Sequence, residues 1–370
     1  MSQWKSFLTE QESIVWSGQE AIDYAGLPQP VNKPATDSHL TYLIPLTHLT
    51  LSVIEGPDTK TFLQGQVTCD IQNLSPDRAL RGCHCTHQGK IISDFLAIEQ
   101  TNESTEQRIL LRTHHSTQSL LMSSLKKYMI FSKAESSINS GFIGVGLIGK
   151  DTVNLVKAAF GIEQWQSLAV YHPHEKAMVV ALNDCAAEVW VTEDIAEVIW
   201  NTLKGAGALP GVTSQWQRFF IQQGHAQVEE ETSGLFTPEV LNFDLIEAVS
   251  FTKGCYTGQE VVARMNYKGK QKKRLFRFIL SEYPAALASP ANHIPVNTPV
   301  FATEDQHNKN VGVVINSASL PDGSIDLLAS IHSDSVHKMN QPTHDVQFSL
   351  QDLPNTPLTL GSLPYTINNV

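Results

Sequence analysis

The thiol of Cys255 is the group in this sequence best placed to do chemistry, within the run KGCYTGQE. Thr257 and Glu260 form a T-x-x-E capping box, so the run predicts a helix that begins at Gly258. The positive end of that helix and the ammonium of Lys253 would both favour the thiolate form of the cysteine. A thiolate is a nucleophile, a soft-metal ligand or a target of oxidation, whereas the alternative is a buried structural thiol. The polar neighbours favour the reactive thiol.

A dense run of cations follows this cysteine, in a chain whose net charge is −11. The run contains no Asp or Glu, and its members are Arg264, Lys268, Lys270, Lys272, Lys273, Arg274 and Arg277. It is either a solvated strand edge that discourages aggregation or an anion-binding surface. Tyr267, Phe276 and Phe278 interleave with the cations, which is compatible with RNA. The acidic chain as a whole favours one small carboxylated ligand over a polyanion.

Two other motifs resemble binding sites, for a metal ion and for a dinucleotide, but match them less well. Cys83, Cys85 and His87 form C-x-C-x-H, but zinc sites space their cysteines more widely and need a fourth ligand, so we expect packed thiols and no metal. The run GFIGVGLIG contains the G-x-G-x-x-G pattern of dinucleotide sites, yet Gly144 and Gly146 lie inside the predicted strand. A strand closely approached by another backbone is the better interpretation.

The composition indicates a globular protein that keeps its thiols reduced. The 370 residues suggest two or three domains, and no apolar run is long enough to span a membrane. The start of the chain lacks the features of a secretory signal, so we expect a cytoplasmic protein, and a monomer. Five scattered cysteines argue against a disulfide framework: Cys69, Cys83, Cys85, Cys185 and Cys255.

The order of predicted elements indicates an α+β protein with an all-β C-terminal region. We interpret residues 1–38 as an irregular or loosely docked arm. CHCTHQGKIISDFLAIE predicts a hairpin with its turn near Gln88–Lys90, and STQSLLMSSLKKYMIF predicts a helix. Strands alternate with single helices in two consecutive blocks, which suggests two small α+β units. Short strands separated by turn residues after Arg274 predict a small barrel or sandwich.

The run FTKGCYTGQEVVARMNYKGKQKKRLF closely resembles the signature of the YgfZ family, whose core is K-G-C-Y-x-G-Q-E. Gly254, Tyr256, Gly258, Gln259 and Glu260 complete that motif around the cysteine. Other runs resemble the family in the same order, namely VIEGPDTKTFLQGQVTCDI, HCTHQGKIISDF, LKKYMIFSKA, QWQRFFIQQGHAQV and SGLFTPEVLN. The resemblance extends from about Leu40 to the end of the chain.

The resemblance implies a fold and a set of domains. The family is related to the glycine-cleavage T-protein, a tetrahydrofolate-dependent aminomethyltransferase. It implies two intertwined, ferredoxin-like α+β domains and a C-terminal β-barrel around a central channel. The domains expected are 39–140 with 206–273 for folate binding, 141–205 as a second α+β domain and 274–370 as the barrel.

The resemblance also implies tetrahydrofolate or another reduced folate as ligand, iron–sulfur enzymes as clients, and a part in tRNA modification. We expect Trp216, Gln222 and Arg264 to contact the folate, and Cys255 with Lys253 to carry the activity, the thiol serving at most as a transient metal ligand. Trp216 could equally be a core residue, because pockets and cores use the same residue types.

The transferase chemistry is in question, because two family carboxylates are missing. The run RTHHSTQSLL holds no Asp or Glu where the T-protein has an acidic residue, and Gln222 replaces a glutamate. The two missing carboxylates would orient the pterin by hydrogen bonds to its nitrogens and would accept or donate a proton. We therefore expect a folate-binding auxiliary protein without stable nucleic-acid or membrane binding. A folate-dependent aminomethyltransferase is the alternative, and an RNA-binding module that uses the cations is a third hypothesis.

Overall fold

The computed structural model describes residues 3–24, 40–100, 107–138, 140–268, 272–281, 293–304, 307–319, 323–339, 341 and 346–367. The chain divides into two compact units, each discontinuous in sequence. Unit 1 comprises Met1–Gln64, Ile71–Arg81 and Phe95–Trp216, and unit 2 comprises Gly65–Asp70, Gly82–Asp94 and Gln217–Val370. No helix in the described ranges has the length and apolar character needed to cross a bilayer.

The helices in the described part of the chain are short. They are α1 Gln3–Glu10, α2 Thr59–Gln64, α3 His115–Met129, α4 Thr152–Phe160, α5 Glu193–Gly205, α6 Thr213–Gln222, α7 Gln259–Lys268 and α8 Ser333–Met339, with 3₁₀ turns at Ile71–Asn73 and Pro238–Leu241.

Within the described ranges the strands make up four sheets. They are β1 Ile14–Ser17, β2 Glu20–Tyr24, β3 Thr41–Pro45, β4 Leu49–Glu55, β5 Leu80–Cys85, β6 Ile91–Gln100, β7 Arg108–His114, β8 Glu135–Ser137, β9 Phe142–Gly149, β10 Val170–His174, β11 Ala177–Asn183, β12 Ala186–Thr192, β13 Leu209–Pro210, β14 Lys273–Leu280, β15 Pro299–Glu304, β16 His307–Ser319, β17 Ile325–His332, β18 Val346–Leu350 and β19 Leu353–Gly361.

Unit 1 is built on a six-stranded sheet of order β10–β11–β12–β9–β3–β13. Its strands are rich in Val, Ile and Leu, and β11 is buried over most of its length, as expected where a strand has elements on both faces. β4 lies between β7 and β8 in antiparallel pairing in a second sheet. Trp200 and Leu203 of α5 are fully buried in the core of this unit.

The N-terminal residues depart from their predicted irregular state. Residues 3–24 form α1 and the β1–β2 hairpin, and Trp4 and Leu8 are buried. The Trp4 ring contacts Trp200 edge to face, with centroids 5.6 Å apart. The prediction of a loosely docked arm was wrong for these residues, and residues 25–39 lie outside the described part.

Gly144 and Gly146 lie inside β9, as the sequence predicted, but the group that approaches them differs. A Cβ atom built on Gly144 would lie 2.8 Å from the Trp190 ring, and one on Gly146 would lie 2.5 Å from the Trp216 ring. Leu46 fills the rest of the space beside both glycines.

The expected backbone neighbour is present at Gly149, the last glycine of the run, where an added Cβ would collide with the carbonyl oxygen of Leu40 and lie 2.6 Å from Thr41 Cα. At Gly144 and Gly146 the neighbours are instead indole rings, which need the room that a missing Cβ leaves.

Unit 2 contains the C-terminal barrel, which closes in the order β14–β17–β16–β15–β18–β19. Strands β14 and β19 pair from Arg277↔Gly361 to Leu280↔Leu358 and so complete the ring. Phe278 and Phe348 meet inside it, with ring centroids 5.3 Å apart. The α+β class and the C-terminal barrel, both expected from the sequence, are confirmed.

Candidate functional site

Lys253 fixes one side of the loop that carries Cys255. Its side chain is buried, with 8% exposed, and its ammonium donates to the carbonyl oxygens of Val67 at 2.8 Å and Cys69 at 2.7 Å. The Tyr256 ring also lies 5.2 Å from Nζ, within the range of a cation–π contact. Burial lowers the pKa of Lys253 to about 8. The cation is therefore bound to backbone oxygens of residues 67–69.

Tyr256 and Thr257 fix the other side of the loop. The Thr257 amide donates to Gly65 O at 3.2 Å, and its hydroxyl donates to Gln66 Oε1 at 3.1 Å. Tyr256 is buried, and burial raises the pKa of its phenol. The segment 65–69 thus anchors the chain at Lys253, directly before Gly254, and at Thr257, two residues after Cys255.

Cys255 is exposed between these two anchors. A Cβ atom on Gly254 would meet no atom within 4 Å, so the backbone beside the sulfur is open. Gly258, by contrast, has φ of +85° and an added Cβ would lie 2.5 Å from Thr86 O, so only glycine fits there. The loop presents one thiol to solvent on a backbone that is held on both sides.

The helix after the cysteine begins one residue later than predicted, at Gln259 instead of Gly258, a difference within the usual uncertainty of helix ends. The Gln259 amide donates to Tyr256 O at 3.1 Å, and its side chain lies 3.5 Å from Gly254 O. Glu260 lies in the first turn, where a carboxylate suits the helix dipole. Glu260 and Arg264 are both exposed.

The other thiols of unit 2 lie in the interior. Cys83 and Cys85 alternate along β5 and face the same way, with their sulfurs 3.9 Å apart. Cys83 Sγ also lies 3.4 Å from Thr68 Oγ1. Burial raises the pKa of Cys83, and raises that of Cys69 to about 12, so both are neutral thiols at neutral pH. In the described ranges no three His, Cys, Asp or Glu side chains are grouped for a metal ion, and His87 is exposed.

The cation run is not one continuous free surface. Arg274 donates to both carboxylate oxygens of Asp244, at 2.7 and 2.9 Å. Arg277 holds Asp326 in a two-pronged ion pair at 2.7 and 2.8 Å. Neither predicted role, solvated edge or anion-binding surface, therefore applies to these two arginines.

The remaining members of the run differ among themselves. Lys272 is exposed, whereas Lys270 and the side chains of Tyr267 and Lys268 lie outside the described part. Phe276 and Phe278 are buried in the barrel core, so the predicted aromatic partners for RNA bases are not available there.

Gln222 is held by the same acid that binds Arg277. Its amide nitrogen lies 3.3 Å from Asp326 Oδ2, and Arg218 Nε lies 3.6 Å from that oxygen. Because a carboxylate only accepts hydrogen bonds, the NH₂ of Gln222 must face Asp326 and the amide oxygen must face elsewhere. Trp216 is 2% exposed and lies against Gly146 and Leu46 within unit 1.

Sequence reasoning missed Asp326, which is 1% exposed and joins three side chains. A signal was present, because it is the lone acid in the apolar run SIDLLASI. A buried carboxylate needs a cationic partner, so such an acid predicts an ion pair even when its partner cannot be named.

Comparison with known proteins identifies the family of this chain. A protein of Colwellia psychrerythraea named tRNA-modifying protein YgfZ is 32% identical over 245 residues, which are 64% of this chain and 71% of that protein. A protein of the same name from Sodalis glossinidius is 26% identical over 344 residues, or 92% of this chain and 98% of that one. The chain belongs to the YgfZ family. No family model matches it.

The YgfZ-family chain also has a solved structural relative. The glycine cleavage system aminomethyltransferase T from Bartonella henselae superposes with a TM-score of 0.74 over 96% of this chain and 95% of that one, at 16% identity. At that identity the likeness establishes a shared fold. Membership in the YgfZ family and the T-protein fold, both expected from the sequence, are confirmed.

Proposed function

We propose that this chain is a folate-binding auxiliary protein of iron–sulfur enzymes, including enzymes that thiolate tRNA, and that it acts as a monomer in the cytoplasm through Cys255. One observation carries the proposal: Cys255 is exposed on a loop that Lys253 and Thr257 anchor on either side. A merely structural thiol would be expected inside, as Cys83 and Cys85 are. The names of the relatives, which are tRNA-modifying proteins, support the tRNA part of the proposal.

Three residues would hold the folate, and they fit it to different degrees. Gln222 has its amide oxygen directed away from Asp326, so it can accept one hydrogen bond from a pterin N–H group. Arg264 is an exposed cation suited to the carboxylates of the glutamate tail. Trp216 fits least well, because it is buried and packs against Gly146 of β9 within unit 1.

Aminomethyl transfer is the less supported alternative. Gln222 has no acidic proton, and the run from Arg112 to Ser116 offers histidines where the T-protein has a carboxylate. His114 is buried, and burial lowers its pKa to about 3, so it is neutral at physiological pH. A neutral imidazole cannot supply the negative charge of the missing acid.

The test replaces Cys255 by Ser in cells that lack the native protein and measures the activity of an iron–sulfur enzyme that thiolates tRNA. Cys185→Ser is the matched control, because Cys185 is the other exposed cysteine. We expect Cys255→Ser to lose activity while it folds and binds tetrahydrofolate like wild type. Full activity in Cys255→Ser would refute a role for the thiol. Turnover of tetrahydrofolate with an aminomethylated lipoyl donor would establish the transferase instead.

A further inference from the structure

The C-terminal tail, residues 362–367, follows the last barrel strand and lies against the end of α6. The hydroxyl of Tyr365 donates to the carbonyl oxygen of Gly224 at 2.7 Å and accepts from the side-chain amide of Asn242 at 3.3 Å. Burial raises the pKa of Tyr365 to about 12, so the phenol keeps the proton that it donates. A Cβ atom added to Gly224 would lie 2.5 Å from that hydroxyl oxygen, so the tail fits against this turn only because the turn has a glycine.

Gly224 is also the residue that ends α6. Its φ is +67°, its amide donates back into the last turn of the helix at 3.0 Å, and the amide of His225 donates to Phe220 O at 2.9 Å. These two bonds around a left-handed glycine form a Schellman motif. The rings of Phe220 and His225, with centroids 6.0 Å apart, make the side-chain contact that often accompanies it. The tail therefore binds the carbonyl two residues after Gln222, in the turn that sets where the helix ends.

A second set of contacts joins the tail to the side chain of Gln222. Arg277 donates from Nη1 to the carbonyl oxygen of Ser362, the first residue of the tail, at 3.3 Å. The same guanidinium binds Asp326 through Nε at 2.7 Å and Nη2 at 2.8 Å. Asp326 Oδ2 in turn accepts from the Gln222 amide at 3.3 Å. The tail thus reaches Gln222 twice, at the turn that follows it and at its side chain.

We propose that Tyr365 is a positioning residue for the reduced folate, holding Gln222 where its amide oxygen can accept a hydrogen bond from the pterin. The inference deepens the proposed function and rests on its assignment of Gln222 to the ligand. The alternative is that the tail only covers the interior, since Leu363 packs against buried residues of unit 2. The two roles differ in what they predict. A cover stabilises the fold whether or not Gln222 is present, whereas a positioning residue affects the ligand only through Gln222.

The test is a double-mutant cycle with Tyr365→Phe and Gln222→Leu, measured by calorimetric titration of the full chain with tetrahydrofolate. Tyr365→Phe removes one hydrogen bond to Gly224, so we expect the dissociation constant to rise roughly fivefold when Gln222 is present. In the Gln222→Leu background we expect the same substitution to change the dissociation constant by less than about twofold, because the amide that Tyr365 positions is absent.

Tyr171→Phe is the matched control for the loss of a phenol hydroxyl. The hydroxyl of Tyr171 also holds one backbone group, because it accepts from the amide of Gln166 at 3.2 Å, but it does so in unit 1. Urea unfolding of each variant establishes that it is folded and measures its loss of stability separately from its affinity.

Two results would overturn this inference alone. In the first, wild type binds tetrahydrofolate and Tyr365→Phe binds it equally well. In the second, Tyr365→Phe weakens binding by the same factor with and without Gln222. If wild type does not bind tetrahydrofolate, the folate part of the proposed function fails, and the inference fails with it. Weaker binding in Tyr365→Phe that disappears in the Gln222→Leu background, with no change in Tyr171→Phe, supports the inference.

Discussion

The ammonium nitrogen of Lys253 lies 2.7 Å from the carbonyl oxygen of Cys69, a residue 184 positions earlier in the chain. From the sequence we predicted that this cation lies beside Cys255 and favours the thiolate form of the thiol. Its observed partners are backbone carbonyls, so its first effect is to fix the loop. Cys255 is then presented by the backbone that Lys253 and Thr257 hold.

The exposure of the five cysteines predicts an order of alkylation. With iodoacetamide at pH 7 we expect Cys255 and Cys185 to react, and the buried Cys69, Cys83 and Cys85 to remain protected in the folded chain. We further expect Cys255 to react several-fold faster than Cys185, because it lies next to a helix N-terminus. Mass spectrometry of peptides over time gives each rate. Equal rates for the two exposed thiols would mean that Cys255 has no special reactivity.

Replacement of Lys253 by Met should change how stability depends on pH. The pKa of Lys253 falls from 10.5 to about 8 on folding. Between pH 8 and 10.5 the unfolded chain keeps a proton that the folded chain has released, so this residue's contribution to stability rises with pH. The rise is on the order of 3 kcal/mol.

Urea unfolding at intervals from pH 7 to 10.5 measures this effect as the difference between wild type and Lys253→Met. We expect the free energy of unfolding of the wild type to rise relative to that of the variant between pH 8 and 10.5. Lys272→Met, at an exposed lysine, serves as the control. If the difference in the free energy of unfolding between wild type and Lys253→Met stays constant with pH, the lowered pKa of Lys253 is contradicted.

Gln222 should matter more for folate than for stability. Gln222→Leu removes a single hydrogen bond to Asp326, so we expect the free energy of unfolding to fall by only about 1 kcal/mol. If its amide oxygen accepts from the pterin, the dissociation constant for tetrahydrofolate should rise roughly tenfold, which corresponds to about 1.4 kcal/mol. Fluorescence titration measures this dissociation constant, and Gln223→Leu is the control at the neighbouring residue. Unchanged affinity would assign Gln222 to the ion-pair cluster alone.

Gly146 should not tolerate even a methyl group. The Cβ of Gly146→Ala would lie 2.5 Å from the Trp216 ring and 2.9 Å from Leu46, so the indole must shift within a packed core. We expect a loss of about 1–3 kcal/mol in the free energy of unfolding. Gly205→Ala is the control, because its Cβ would meet no atom within 4 Å. Equal stabilities in denaturant would show that Trp216 is free to move.

Local patterns accounted for much of the fold. The β5–β6 hairpin was predicted from the turn residues around Gly89, which has φ of +70°, and the barrel from short strands between turn signals. The N-terminal helix was also visible in principle, because Trp4, Phe7 and Leu8 have helical spacing.

The partners of the charged residues could not be predicted in the same way. Arg277 and Asp326 are 49 positions apart and Lys253 and Cys69 are 184 apart, and no spacing rule connects them. A run of cations has the same sequence pattern whether its members face water or a buried carboxylate. Only the fold decides which carboxylate or carbonyl each cation meets.

The distance along the chain between Val67 and Lys253 also affects how the protein is made. A ribosome adds about 5–20 residues per second, so the 186 residues that separate them take roughly 10–40 s to appear. Until then the segment 65–69 has no ammonium to bind, and the cysteine loop does not exist. Closing so long a loop also costs conformational entropy before any contact forms. The loop that carries Cys255 can therefore be organised only after Lys253 has been synthesised and has left the ribosome.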